Sequence, residues 1–164
     1  MHEAGVTIRK LRGEDVAPLR RILQNTNFFS NEEVATALEL MDIFLSDPNQ
    51  HDYDLYTAVS ATGEVAGYIC VGPTPLTHGT YDLYWVAVDP DLQRQGVGKQ
   101  LILFAGEFIR SKGGRLLIAE TSSQPKYEST RRFYITQNFK QLACIKDYYR
   151  QGDDLVVYGK YYSQ

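Results

Sequence analysis

Apolar and polar positions recur along the chain in two rhythms, one of period two and one of helical period, that mark out short strands and amphipathic helices. Val6 to Lys10 alternates branched and polar residues before Gly13, Glu14 and Asp15, which predicts a strand running into a helix over roughly Asp15 to Asn25. Ser30 precedes Glu33 in a capping-box pattern, and Val34, Ala37, Leu38, Met41 and Leu45 then repeat at helical spacing as far as Asp47-Pro48. Tyr53 to Ser60 and Val65 to Val71 are β-type runs joined by Ala61-Thr62-Gly63-Glu64, a link of the hairpin sort. Gly72 to Thr80, with its two prolines and Gly79, interrupts the pattern. Tyr81 to Val88 is rich in aromatic and branched residues and stops at Asp89-Pro90, which predicts another strand. Past the glycines at Gln93 to Gly98, the residues Val97, Leu101, Phe104, Ala105 and Phe108 form one helical stripe that ends near Gly113-Gly114. A strand at Arg115 to Thr121 and a helix at Lys126 to Gln137 follow. Two further β-type runs, Phe139 to Tyr148 and Leu155 to Tyr161, flank a turn at Gln151-Gly152-Asp153-Asp154.

Neither an internal repeat nor a linker divides this succession, and 164 residues suffice for one domain with a sizeable core, so a single domain over 1–164 is expected. Hydrophobic residues at 43% and charged residues at 23% are ordinary globular usage, which excludes disordered and low-complexity architectures. Seventeen Lys and Arg against twenty Asp and Glu give a net charge of -3, without the basic excess that nucleic acid or an anionic membrane surface requires as a partner. The opening MHEAGVTIRK has no apolar signal-peptide core, and no run is long enough to span a bilayer, so a cytoplasmic protein is expected. Cys70 and Cys144 are too few for a disulfide framework and read as reduced thiols. His2, His51 and His78 lie at no metal-ligand spacing and read as solvated loop residues, so no metal is expected.

The stretch Gln93-Arg94-Gln95-Gly96-Val97-Gly98-Lys99-Gln100 invites three phosphate-binding readings. A P-loop needs Gly five residues before its Gly-Lys pair and Ser or Thr after it, where this chain has Gln93 and Gln100. A dinucleotide fingerprint needs a third glycine where Leu101 stands. What survives is general physics: glycines at a helix start let backbone N–H groups approach an anion, the helix dipole favours it, and Arg94 and Lys99 add positive charge. A plain strand-to-helix turn using two glycines is the competing reading.

Val86-Ala87-Val88-Asp89-Pro90 followed by Gln93-Arg94-Gln95-Gly96-Val97-Gly98 resembles the acetyl-CoA signature of the GNAT N-acetyltransferase superfamily, (Gln/Arg)-x-x-Gly-x-(Gly/Ala), at every position. Downstream, Phe133-Tyr134 and Asn138-Phe139 are similar to the family's Phe/Leu-Tyr-x-x-x-Gly-Phe segment, with Asn138 in place of glycine, a substitution that the left-handed tolerance of Asn permits. The order of predicted elements is also similar to the family core. The resemblance implies an α/β (α+β) fold: a mixed central sheet with a splayed parallel strand pair and helices on both faces.

For chemistry, the resemblance implies that the pantetheine arm of acetyl-CoA pairs with backbone groups around Val86, Ala87 and Val88, and that its pyrophosphate rests on N–H groups of the loop from Gln93 through Arg94, Gln95, Gly96, Val97 and Gly98 to Lys99. It implies direct transfer of the acetyl group to a primary amine, with no acyl-enzyme and no metal. Tyr134 takes the family's general-acid position, although a Tyr at helical spacing taken alone reads as a packing residue. Asp82 stands where some members carry a catalytic Glu, and Glu120 ends the second splayed strand, so either carboxylate is a candidate base, with a strand-end structural role open for both. Tyr127 occupies the place of a pantetheine-binding Asn. Tyr84, Tyr148 and Tyr149 are candidates to line an acceptor pocket. A small-molecule or amino-acid amine is the leading acceptor. A protein N-terminus or lysine, and a non-catalytic acyl-CoA sensor, are the alternatives, and a homodimer stands open beside a monomer.

Overall fold

The computed structural model describes residues 5–163, so His2 lies outside the described residues. The elements are β1 (Val6–Lys10), α1 (Val16–Asn25), α2 (Asn31–Ser46), β2 (Asp54–Ser60), β3 (Val65–Pro73), β4 (Thr80–Val88), α3 (Val97–Ser111), β5 (Leu116–Ser122), α4 (Glu128–Thr136), β6 (Lys140–Arg150) and β7 (Asp153–Tyr161). The strands hydrogen-bond in the order β1-β2-β3-β4-β5-β7-β6, with β4 and β5 parallel, which is the mixed sheet expected from the resemblance. The chain forms two compact units, Met1–Gly72 with Trp85–Ala105 and Pro73–Tyr84 with Gly106–Gln164.

In the first unit, α1 contributes Leu19, Ile22 and Leu23 and α2 contributes Val34, Ala37 and Met41 to a core shared with Leu55, Tyr68, Cys70 and Ala87 from the strands. The spacings are those of one apolar helical stripe each. Ser30 and Glu33 form the predicted capping box, with the Glu33 N–H donating to Ser30 Oγ at 3.1 Å and the Ser30 N–H donating to Glu33 Oε2 at 2.8 Å. The first helix begins later than expected, because Gly13–Asp15 form a 3₁₀ turn. Asp15 is 1% exposed, and its carboxylate accepts two hydrogen bonds from the Arg9 guanidinium at 2.7 and 3.0 Å, one from the Arg12 N–H and one from the Thr57 hydroxyl. Burial by itself would push that carboxyl up, but the Arg9 ion pair and the other donors outweigh it and hold Asp15 below the usual carboxylate range. The knot ties β1 and the entrance to α1 onto β2.

The second unit is organised around β5, which pairs in parallel with the first half of β4 and antiparallel with β7 from Leu116↔Tyr161 to Ser122↔Leu155. The turn between β6 and β7 is tighter than its polar sequence predicts. Asp153 and Asp154 belong to β7, leaving Gln151 and Gly152 at the bend. Their carboxylates are committed to other segments: Asp153 Oδ1 accepts from the Ser122 hydroxyl, and Asp154 Oδ1 accepts from the Asp147 N–H at 2.9 Å. Asp147 itself has φ 53° and accepts the Gly152 N–H, so β6 runs to Arg150 through an irregular stretch.

Candidate active site

The glycine loop lies in the first unit. Asp89 closes the end of β4 by donating its N–H to the Ala66 carbonyl at 2.8 Å, while its side chain accepts from the Asp91 N–H at 3.0 Å. Arg94 and Gly96 then take φ of 66° and 84°, and α3 starts at Val97. Alternating left-handed residues turn neighbouring N–H groups toward one side, and the helix start adds its own unsatisfied donors. The first turn of α3 carries no acidic residue, whereas Lys99 lies in it. This donor set fits a pyrophosphate and differs from an ordinary strand-to-helix turn in its two left-handed residues on either side of Gln95. The loop is held from inside by Val97, Leu101, Ile102 and Ala105, all buried, while Phe104 flanks the stripe and meets Tyr56 at a tilt of 58° with centroids 4.6 Å apart. Beneath the end of β4, Gly67 permits a close crossing: a Cβ there would lie 2.5 Å from the Ala87 carbonyl oxygen.

The candidate acid and bases lie in the second unit, and strand register decides which faces they take. The parallel ladder between β4 and β5 runs from Thr80↔Leu116 to Leu83↔Ala119, whereas β4 itself continues to Val88. Paired residues project to the same side and neighbours along a strand to opposite sides. Asp82 pairs with Ile118, so Asp82, Ile118 and Glu120 share one face, with the α-carbons of the two carboxylate residues about 8 Å apart by strand geometry. Leu83 pairs with Ala119, which pairs with Tyr158, so these three share the other face and are all buried. Tyr134 packs on that second face, its ring 5.8 Å from Tyr158 and 5.3 Å from Phe139. Acid and base candidates therefore stand on opposite sides of the same strands.

Tyr134 is held by the segment that follows it. Asn138 adopts φ 68° at the end of α4, and the Phe139 N–H then donates to the Tyr134 carbonyl at 3.0 Å, folding Phe139 against the Tyr134 ring. Asn138 thus performs the left-handed step that glycine performs in the related motif. Arg131 secures the other end of α4 by donating to the Ser122 and Gln124 carbonyls at 2.7 and 2.9 Å. Burial pushes the Tyr134 phenol well above its ordinary value, so it stays protonated at any working pH.

Asp82 is half-buried, and its Oδ2 accepts a hydrogen bond from the Thr74 hydroxyl at 2.8 Å. Glu120 is exposed. Burial, and after it the Glu120 carboxylate with contributions from Tyr148, Asp153 and Tyr127, raises the Tyr149 phenol, which places these groups in one neighbourhood. Tyr148 and Tyr149 meet edge to face at 5.0 Å, and Tyr127 stands at the N-cap of α4 under Lys126, whose Nζ is 4.9 Å from its ring. Sequence reasoning missed Thr74. Its segment, Pro73-Thr74-Pro75, reads only as a loop, and its partner lies across a hairpin. The described residues contain no group of side chains arranged for a metal ion, and none of their helices is long and apolar enough to cross a membrane. His51 and His78 are both exposed, and Cys70 and Cys144 are free thiols, one buried and one exposed.

A protein from Desulfovibrio desulfuricans assigned to the GNAT family of acetyltransferases has a solved structure that superposes with a TM-score of 0.91 at 42% identity, covering 96% of this chain and 99% of that one. The ribosomal-protein-S18-alanine N-acetyltransferase of Escherichia coli (TM-score 0.74, 20% identity, 98% and 96% covered) shares the fold. So does an aminoglycoside 6'-N-acetyltransferase solved with coenzyme A (TM-score 0.74, 15% identity, 94% and 96% covered). No curated protein matches the chain. The family model for acetyltransferase (GNAT) matches residues 18–139, and the chain belongs to that family.

Proposed function

We propose that this protein transfers an acetyl group from acetyl-CoA directly to a primary amine. The observation that carries the reading is the pair of left-handed residues, Arg94 and Gly96, leading into the N-terminus of α3, a backbone donor set suited to a pyrophosphate. The loop from Gln93 to Lys99 holds the phosphates, Val86 to Val88 align the pantetheine arm, and Tyr127 contacts it. When bound, acetyl-CoA supplies the activated thioester.

Asp82 accepts the amine proton, directly or through one water, since Asp is a methylene shorter than Glu. Glu120, on the same face and beside Tyr148 and Tyr149, orients the acceptor. Tyr134 donates its hydroxyl proton toward the departing sulfur. Because burial raises that phenol far above an ordinary thiol, about 8.5, Tyr134 acts chiefly as a hydrogen-bond donor that stabilises developing thiolate. A small amine is the acceptor class we favour; the fold-level relatives act on a ribosomal-protein alanine and on an aminoglycoside.

A panel of amines (butylamine, lysine, alaninamide, an aminoglycoside and a short peptide), scored by CoA thiol release, tests the reading. At least one gives release well above hydrolysis. Acetyl-CoA binding without release across the panel would instead support a sensing module. Asp82→Asn depresses kcat/KM most near neutral pH and recovers as pH rises toward the amine's own pKa, about 8 for an α-amine and about 10.4 for a lysine, where solvent has already removed the proton. A loss that stays flat with pH reassigns Asp82 to orientation.

A further inference from the structure

We infer that Thr74 is a positioning residue that fixes the carboxylate of Asp82 for proton transfer; the inference rests on the assignment of Asp82 as the base. Thr74 ends the β3 side of the hairpin leading to β4, and its hydroxyl donates to Asp82 Oδ2 at 2.8 Å. Among the described residues this is the one side-chain partner of Asp82, so Oδ1 remains for an amine or a water.

The surroundings make Thr74 a rigid donor. Pro73 and Pro75 flank it, so φ is locked on both sides and Thr74 itself is confined to extended backbone. Its N–H donates to the Thr80 carbonyl at 2.9 Å, and its own carbonyl accepts the Thr77 hydroxyl at 2.7 Å. A β-branched side chain on a backbone pinned at both polar groups has little χ1 freedom. These hairpin bonds use the main chain of Thr74 and the side chain of Thr77, so the hairpin closes without the Thr74 hydroxyl. That hydroxyl is spent on Asp82. A base held within hydrogen-bond reach of its proton is effective only if its own rotamer is fixed, and on an open strand face Asp82 has no other side chain to fix it.

The test uses the full-length protein, with acetyl-CoA and the fastest amine of the panel, and reads kcat/KM from CoA release. Thr74→Val removes the hydroxyl at nearly constant shape and lowers kcat/KM for the amine by about tenfold or more, the scale of a hydrogen bond to a charged group, with KM for acetyl-CoA unchanged. Thr74→Ser restores most of the activity. In an Asp82→Asn background, Thr74→Val changes nothing further, whereas a merely structural role lowers activity by the same factor in both backgrounds. Wild-type kcat/KM in Thr74→Val, or equal losses in the two backgrounds, overturns the inference while leaving Asp82 as base. Wild-type activity in Asp82→Asn alone overturns the base assignment, and the inference with it. Thermal melting of each variant accompanies the kinetics, and if Thr74→Val unfolds, Thr74→Ala, which also lacks the hydroxyl, takes its place with the same expected loss and the same overturning outcomes.

Discussion

The glycine loop of the first unit and the strands that carry the candidate acid and bases in the second are built by different means. In the proposed reading the loop recognises its ligand with main-chain N–H groups placed by two left-handed residues, so the exposed side chains of Arg94 and Gln95 matter less than the turn of the backbone. In the same proposal Tyr134 and Asp82 act through one hydroxyl and one carboxylate whose aim depends on neighbours outside their own elements: Phe139 and Tyr158 for the ring, Thr74 for the carboxylate. On this proposal, binding in the first unit is a property of conformation, and chemistry in the second is a property of functional groups. Conformational sites fail by strain, and chemical sites fail by deletion of single atoms.

Removing one oxygen gives the largest separation. Tyr134→Phe lowers kcat by about 10² to 10⁴ with little change in acetyl-CoA affinity by calorimetry, because the ring packing survives and only the donor is lost. Wild-type turnover would return Tyr134 to a packing role. Next in size is a stability effect confined to the first unit. Asp15→Asn breaks the charged knot with Arg9 and lowers unfolding free energy by about 1–3 kcal/mol at neutral pH in denaturant titration. Its pH dependence has a defined sign. The folded-state pKa of Asp15 lies below its unfolded value near 4, so the carboxylate's contribution is complete above that value and fades as pH falls through the lower, folded one. The wild-type protein therefore loses stability in this acid window faster than Asp15→Asn, and parallel curves would remove Asp15 from the acid response.

Gly96→Val tests the loop. A branched residue at φ 84° is strained by about 1–2 kcal/mol, so the free loop relaxes out of that turn and acetyl-CoA binding, which must restore it, weakens by roughly 5- to 30-fold while the melting temperature moves little. Unchanged affinity in the folded variant would detach the loop from the cofactor. The smallest effect belongs to Lys99→Ala, a loss of a few-fold that shrinks as salt rises, since a charge on the exposed first turn of α3 is screened over about 8–10 Å. A Lys99 effect larger than that of Gly96, and insensitive to salt, would invert the comparison.

How far each region is legible in the sequence follows the same division. Ser30 with Glu33, the glycine turn and the helical stripe through Val97, Leu101 and Ala105 involve residues within a few positions of one another, and their patterns survive into the structure. Asn138 is legible for the same reason: the left-handed step it takes is a local matter. The clustered acidic residues after Gly152 mislead because a polar tetrapeptide resembles a turn, whereas the Asp153 carboxylate is claimed by Ser122 and that of Asp154 by Asp147, partners that no local pattern reveals. Thr74 and Asp82 illustrate the limit most clearly. One stands in a proline loop and the other in a strand, and only the closing of the hairpin brings hydroxyl to carboxylate.

The alternation that sends Asp82 and Glu120 to one side of β4 and β5, and Leu83, Ala119 and Tyr158 with the packed Tyr134 to the other, has a consequence for how such an enzyme diversifies. A substitution at Asp82, Ile118 or Glu120 alters the carboxylate side and leaves the buried Leu83 and Ala119 on the other side in place. In the proposed reaction the acceptor's face can therefore change in single steps without disturbing the face on which Tyr134 packs. The period of the β-strand acts as insulation between two inherited traits, letting one drift while the other is kept.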